Sequence, residues 1–217
     1  MIPAVKVCGV CSPEDAVLIA EEGADYLGVI LDLGRMRTQS TTSAAAILRA
    51  ATGPRYVGVF VDPEPEVVHS QAERLGLDVI QLHGSEGPEL VESLNSSGHR
   101  VWKALRPRDL DEFLEGLERY AEIVDAILLD GWSPAGPGGT GTPFPWREVA
   151  RAREQIPEGT GLVIAGGLNP TNVADAIEIL RPDVVDVSSG VESAPKVKDP
   201  DLVEAFISKV RIGRRVT

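Results

Sequence analysis

Residues 161–182, "GLVIAGGLNPTNVADAIEILRP", hold one complete structural unit in 22 residues. An apolar run, "GLVIAGGL", closes on Gly166 and Gly167. "NPTNVADAIEILRP" follows, opening at Asn169-Pro170 with apolar residues at helical spacing. Proline suits the first helical turn, where its missing N–H costs nothing. The segment therefore reads as strand, tight turn, helix.

Working outward, the same unit recurs along the chain. "VKVCGV" (5–10) precedes "SPEDAVLIAEEG", where Ser12 caps and Pro13 fits the first turn. "DYLGVIL" (25–31) leads to "STTSAAAILRAAT", and "YVGVFVD" (56–62) to "PEVVHSQAERLG". "DVIQLHG" (78–84) precedes "GPELVESLNSSG", and "VWKALR" (101–106) precedes "DLDEFLEGLERYAE". "AILLDGW" (126–132) runs through a Gly/Pro-rich loop to "WREVARAREQ". After the opening unit, "VVDVSSGV" (184–191) precedes "PDLVEAFISKVR". These are eight strand–helix units. Their strands are near-continuous apolar runs, the mark of strands covered on both faces in a parallel sheet. Eight such units closing on themselves make a single-domain α/β (β/α)8 TIM barrel spanning residues 1–217. At 217 residues it is lean, with short loops, against the usual ~250. An open doubly wound sheet is the competing architecture.

Composition bounds the function. Of the residues, 43% are hydrophobic and 25% charged, and the formal net charge is −12. That charge disfavours nucleic acid as a partner, because phosphate backbones need a basic footprint. No apolar run approaches the roughly 20 residues of a membrane span. The opening "MIPAVKVCGV" is interrupted too early for a secretory signal, and two cysteines fit a reducing cytoplasm. Three histidines and two cysteines are a thin stock of metal ligands, and no metal site is expected.

In a barrel, the site forms where strands end. The residues at those ends are Cys8, 32–39, Asp62, Gln81, His83, Arg106, Asp130, Gly166, Gly167 and the "DVSSG" run. Units seven and eight end in Gly166-Gly167 and in Ser188-Ser189-Gly190. Glycines admit close backbone approach, and free N–H groups at such turns bind anions. A phosphate is expected there, at Gly166, Gly167, Ser189 and Gly190. The glycine-rich loop 133–141, with Gly138, Gly139 and Gly141, could close over a ligand as a lid. Cys8 and Cys11 form a C-x-x-C whose spacing alone leaves a buried, a redox and a catalytic reading open. Asp130 is open in the same way between a turn former and a functional carboxylate.

"VKVCGV", "ADYLGVIL", "VGVFVD", "DVIQLHG", "ILLDGWSPAGPGGTGTPFPW", "IAGGLNPTNV" and "RPDVVDVSSGVE" together resemble the phosphoribosylanthranilate isomerase family of tryptophan biosynthesis. The resemblance covers residues 5–192 in order. It implies an Amadori rearrangement of an aminoaldose to an aminoketose, on a small phosphosugar substrate and without a cofactor. It implies Cys8 as general base, Asp130 as general acid, and Arg37 as the grip on the anthranilate carboxylate, with Arg35 as its rival. Gln81, His83 and Asp186 match positions around the aromatic end. Cys11 stands where the family pattern has no cysteine, and a Cys8–Cys11 disulfide would block the base. Thr142 and Pro145 replace the lysine and aspartate common in the family's loop. Members occur as monomers or homodimers. The alternatives are a histidine-pathway isomerase, a non-catalytic phosphosugar-binding barrel and a thiol-redox protein.

Overall fold

Strands buried on both faces fit either an open doubly wound sheet or a closed barrel, and these close. β1 (Ala4–Val7), β2 (Tyr26–Ile30), β3 (Arg55–Phe60), β4 (Val79–Leu82), β5 (Val101–Leu105), β6 (Ala126–Leu129), β7 (Gly161–Ile164) and β8 (Val184–Val187) pair in parallel in chain order. The seam runs from Ala4 opposite Val184 to Val7 opposite Val187, so β8 returns to β1 and the barrel is closed. The computed structural model describes residues 2–31, 34–131 and 150–212.

Helices pack outside. α1 (Pro13–Glu21) starts on Ser12, whose Oγ accepts from the Asp15 amide at 3.1 Å, with Pro13 in the first turn. α2 (Thr41–Ala50) and α5 (Leu110–Tyr120) start the same way on Ser40 and Asp109. Such a cap satisfies an N–H the helix leaves unpaired, contributing about 1 kcal/mol. α3 (Pro65–Leu75) ends on Gly76 in the left-handed region, and α4 (Pro88–Ser96) opens on a proline. α6 (Val173–Leu180) and α7 (Pro200–Ile212) complete the ring. Of the sixth unit's expected helix, the described part is helical at 150–152 and a 3-10 turn at Arg153–Gln155.

Two elements differ from the sequence reading. α6 begins at Val173, not at Asn169-Pro170. The Asn169 side chain accepts from the Thr171 amide, and Asn172 accepts from the Asn169 amide, each at 2.8 Å. These side-chain turns satisfy the backbone locally and delay the helix. The eighth apolar run pairs only as far as Val187. Ser189–Val191 turns as a 3-10 helix, and a small antiparallel hairpin follows, β9 (Glu192–Ala194) with β10 (Val197–Lys198).

The apolar core has two compartments. The larger lies between barrel and helices; the smaller fills the barrel, with Tyr26, Val57, Val79, Trp102 and Leu128 among its members. Tyr26 and Trp102 meet edge to face with ring centroids 5.0 Å apart. Because side chains alternate along a strand, the inward positions of β1 after Ala4 are Lys6 and then Cys8. The barrel is thus apolar at its base and polar at its C-terminal mouth.

Candidate active site

The mouth opens into a cleft of roughly 380 Å³. Lining it are Cys8, Arg37, Gln81, His83, Asp130, Gly166, Gly167, Asp186, Ser189 and Gly190, every expected site residue outside the lid loop. Gly138, Gly139 and Gly141 lie outside the described residues, as do Thr142 and Pro145. Arg35, Arg106, Val59 and Val61 also line the cleft, whereas Cys11 does not. His69 and His99 are half-buried against each other with centroids 5.7 Å apart.

On the β4–β6 side, Gln81, His83 and Asp130 form a chain. Gln81 Nε2 lies 2.9 Å from His83 Nδ1, and His83 Nε2 lies 3.0 Å from Asp130 Oδ2. In this arrangement Nδ1 accepts from Gln81, so Nε2 carries the proton and donates to Asp130. Asp130 Oδ1 is left on the Gly166 side: a β-carbon added at Gly166 would stand 2.9 Å from it and 2.1 Å from the Gly131 amide nitrogen. Gly166 is therefore required by the close approach of the Asp130 strand end as well as by its own turn.

On the β8–β1 side, a pair of buried charges lies under the cleft floor. Lys6 Nζ donates to Asp186 Oδ2 at 2.6 Å, and the Lys6 side chain is fully buried. Burial works against the Lys6 ammonium, but Asp186 and Cys8 outweigh it and move its pKa upward. Burial pushes the Cys8 thiol up, with Lys6 and Lys198 pulling it back and Asp186 adding to the rise. Burial likewise raises Asp186 against the pull of Lys6. Among the described residues, Gln81 Oε1 and Asp186 Oδ1 are buried acceptors without a partner. Two unmatched acceptors beside a cleft suit a ligand that brings hydroxyl or amine donors.

Arg37, expected as the carboxylate grip, is braced by Glu192. Its Nε and Nη2 donate to Glu192 Oε1 and Oε2 at 2.8 and 2.6 Å. Lys198, from β10, donates to the same Glu192 at 3.1 Å, to the Cys8 carbonyl at 2.8 Å and to the Ser188 carbonyl at 3.0 Å. Burial alone would push Glu192 up, but Arg37 and Lys198 hold its carboxyl below the usual range. The hairpin thus buckles together the ends of β1 and β8 and the loop after β2. Lys6, Glu192 and Lys198 were missed in the sequence. Only the parity of Lys6 with Cys8 could have signalled one of them.

At β7 and β8, Gly166 and Gly167 both take positive φ, +87° and +72°. The amides of Gly167 and Leu168 make no hydrogen bond to another described residue. A β-carbon on Gly190 would fall 1.8 Å from the Leu168 carbonyl oxygen, a distance no side chain tolerates. Gly190→Ala is therefore expected to force these two turns apart, raising KM for a phosphorylated ligand at least tenfold and lowering Tm. A KM within twofold of wild type would show that this turn does not bind the ligand. Both cysteines are free thiols. The Cys11 thiol points to the carbonyls of Gly9 and Arg37 at 3.4 and 3.9 Å. Among the described residues, no cluster of three His, Cys, Asp or Glu could hold a metal ion, and no helix is long and apolar enough to cross a membrane.

The model of the N-(5'-phosphoribosyl)anthranilate isomerase family matches residues 5–209. The chain belongs to this family. A phosphoribosylanthranilate isomerase from Rubrobacter xylanophilus is 44% identical over 208 residues, covering 95% of this chain and 98% of that one. The crystal structure of the isomerase from Thermotoga maritima superposes with a TM-score of 0.88 at 36% identity, covering 96% and 98% of the two chains. A second isomerase structure holds reduced 1-(o-carboxyphenylamino)-1-deoxyribulose 5-phosphate. It gives a TM-score of 0.84 at 34% identity, with coverage of 96% and 98%. The closed eight-stranded barrel of this isomerase family member is the architecture expected from its eight sequence units.

Proposed function

We propose that the cleft converts N-(5'-phosphoribosyl)anthranilate to 1-(2-carboxyphenylamino)-1-deoxyribulose 5-phosphate, the isomerase step of tryptophan biosynthesis. The observation that carries this reading is the placement of Cys8 and Asp130 in one cleft whose β7–β8 end is lined by Gly166, Gly167, Ser189 and Gly190. The phosphate sits at that end, which places the sugar between β1 and β6 and the aromatic ring toward β2–β5.

Asp130 gives a proton to the furanose ring oxygen, the C1'–O bond breaks, and the nitrogen lone pair forms the C1'=N iminium. The Cys8 thiolate then removes the C2' proton. That C–H pair becomes the C1'=C2' bond, and the iminium π pair returns to nitrogen. The enolamine loses its hydroxyl proton and gains one at C1', giving the ketone. The substrate's own nitrogen stores the electrons, so the steps balance with one acid and one base. His83, hydrogen-bonded to Asp130, orients the acid. Arg37, braced by Glu192, keeps its Nη1 edge for the carboxylate, and Arg106 flanks the same end. The unpartnered Gln81 Oε1 and Asp186 Oδ1 accept from substrate donors.

The test is turnover of substrate generated in situ from anthranilate and phosphoribosyl pyrophosphate, followed by loss of fluorescence. Wild type and Cys11→Ser are expected to turn over at similar rates. Folded wild type without turnover would overturn this reading and direct the search to the histidine-pathway substrate.

A further inference from the structure

The reading of Cys8 as a base leaves one question open: a thiol buried in apolar surroundings is a poor base, because burial favours its neutral form. The answer lies two residues upstream. Lys6 shares the inward face of β1 with Cys8, and the two side chains converge over Gly28 of β2. A β-carbon added there would stand 2.8 Å from Cys8 Sγ and 3.1 Å from Lys6 Cε. Gly28 is thus the space in which they meet. Asp186, directly opposite Lys6 across the β1–β8 seam, fixes the ammonium from the other side at 2.6 Å. Lys6 does not line the cleft and touches no substrate; it lies beneath the floor.

We propose that Lys6 is the positioning residue that makes Cys8 a working base: its ammonium, anchored by Asp186, stabilises the thiolate that removes the C2' proton. The inference rests on the isomerase reading for the base role of Cys8. A buried lysine kept charged is costly unless it is paired. Here one partner, Asp186, is permanent. The other, Cys8, is a thiol at rest and an anion when it acts. The ammonium therefore stabilises the thiolate over the thiol and raises the fraction of enzyme ready to take the proton. The charged groups around Cys8 are Lys6 on its own strand, Asp186 on β8, Lys198 on β10 and Arg37 in the loop after β2. Of the cations, Lys6 acts on the thiol most strongly.

The test follows the rate of Cys8 alkylation by iodoacetamide against pH, in a Cys11→Ser background that leaves a single thiol. Lys6→Met is expected to move the inflection up by about one to three pH units, the usual effect of losing a neighbouring opposite charge. Below that inflection the thiolate fraction, and with it kcat, falls about 10- to 1000-fold, while KM stays within threefold. Lys6→Arg, which keeps the charge, retains an inflection near that of wild type. If Lys6→Met does not fold, the Lys6→Met/Asp186→Asn double variant is compared with Asp186→Asn alone by the alkylation inflection only, since Asp186 itself raises the thiol and faces the substrate; Lys6→Met must still move the inflection up. An inflection no higher than wild type, in a folded variant, overturns the proposal and makes Lys6 a structural ion pair only. The alkylation profile uses no substrate, so absent wild-type turnover with a shifted profile would sink the isomerase reading and leave the thiolate effect standing.

Discussion

Asp130→Asn is expected to lower kcat about 10²- to 10⁴-fold, the ordinary worth of a positioned general acid, and to leave KM within a few-fold of wild type. The substitution keeps the shape of the side chain. Asparagine can still accept the His83 Nε2–H through its carbonyl oxygen, replacing the 3.0 Å contact made by Oδ2. What it cannot do is release a proton to the ring oxygen. Cys8→Ser should cause a loss of similar size at the other proton transfer, since a hydroxyl beside Lys6 ionises far less readily than a thiol. Steady-state kinetics measure both, and the reduced product analogue held by a relative supplies an independent binding check. Analogue affinity near wild type with kcat lost places the defect in the chemistry. Retention of kcat within threefold by Asp130→Asn would remove it as the acid, and His83 would be the next group to test.

How much of this could be read from the sequence depended on the range of each interaction. The eight strands were legible because burial on both faces imposes a local rule: near-continuous apolar runs ended by glycine or polar residues. Cys8, Asp130, Gly166 and Gly190 were legible because strand ends in a barrel converge, so position along the chain predicts position at the mouth. α6 was placed three to four residues too early because asparagine competes with the helix for the backbone. The pairs that organise the charges were not legible. Arg37 meets Glu192 across 155 positions, Lys6 meets Asp186 across 180, and Lys198 meets the Cys8 carbonyl across 190. Only barrel closure brings them together. A lysine inside a strand also argues locally against facing the core, so nothing in the sequence alone marks Lys6 as the partner of Asp186.

A buried pair between β5 and the helix layer carries the second large effect. Lys103 on β5 donates to Glu86 Oε2 at 3.0 Å, to the Gly84 carbonyl at 2.8 Å and to the Ala104 carbonyl at 3.1 Å, and lies 5.4 Å from the Tyr120 ring centroid. Glu86 Oε1 in turn accepts from the Asp62 and Gly84 amides at 3.0 and 2.9 Å, and Tyr120 donates to the Glu86 carbonyl at 2.8 Å. Both charged side chains are almost wholly buried. Lys103→Met is therefore expected to destabilise the protein by about 3–5 kcal/mol, the cost of leaving a buried charge without its partner. Adding Glu86→Gln should recover part of that loss, because a neutral amide has no charge to strand and can donate to the carbonyl Lys103 gave up. Denaturant unfolding of the two variants measures both steps. A double variant no more stable than the single would mean the loss is one of packing, not of charge. The pair also holds Gly84, next to His83. If it sets the loop that presents the histidine to Asp130, the single variant should lose kcat as well as stability, and the double should regain both together.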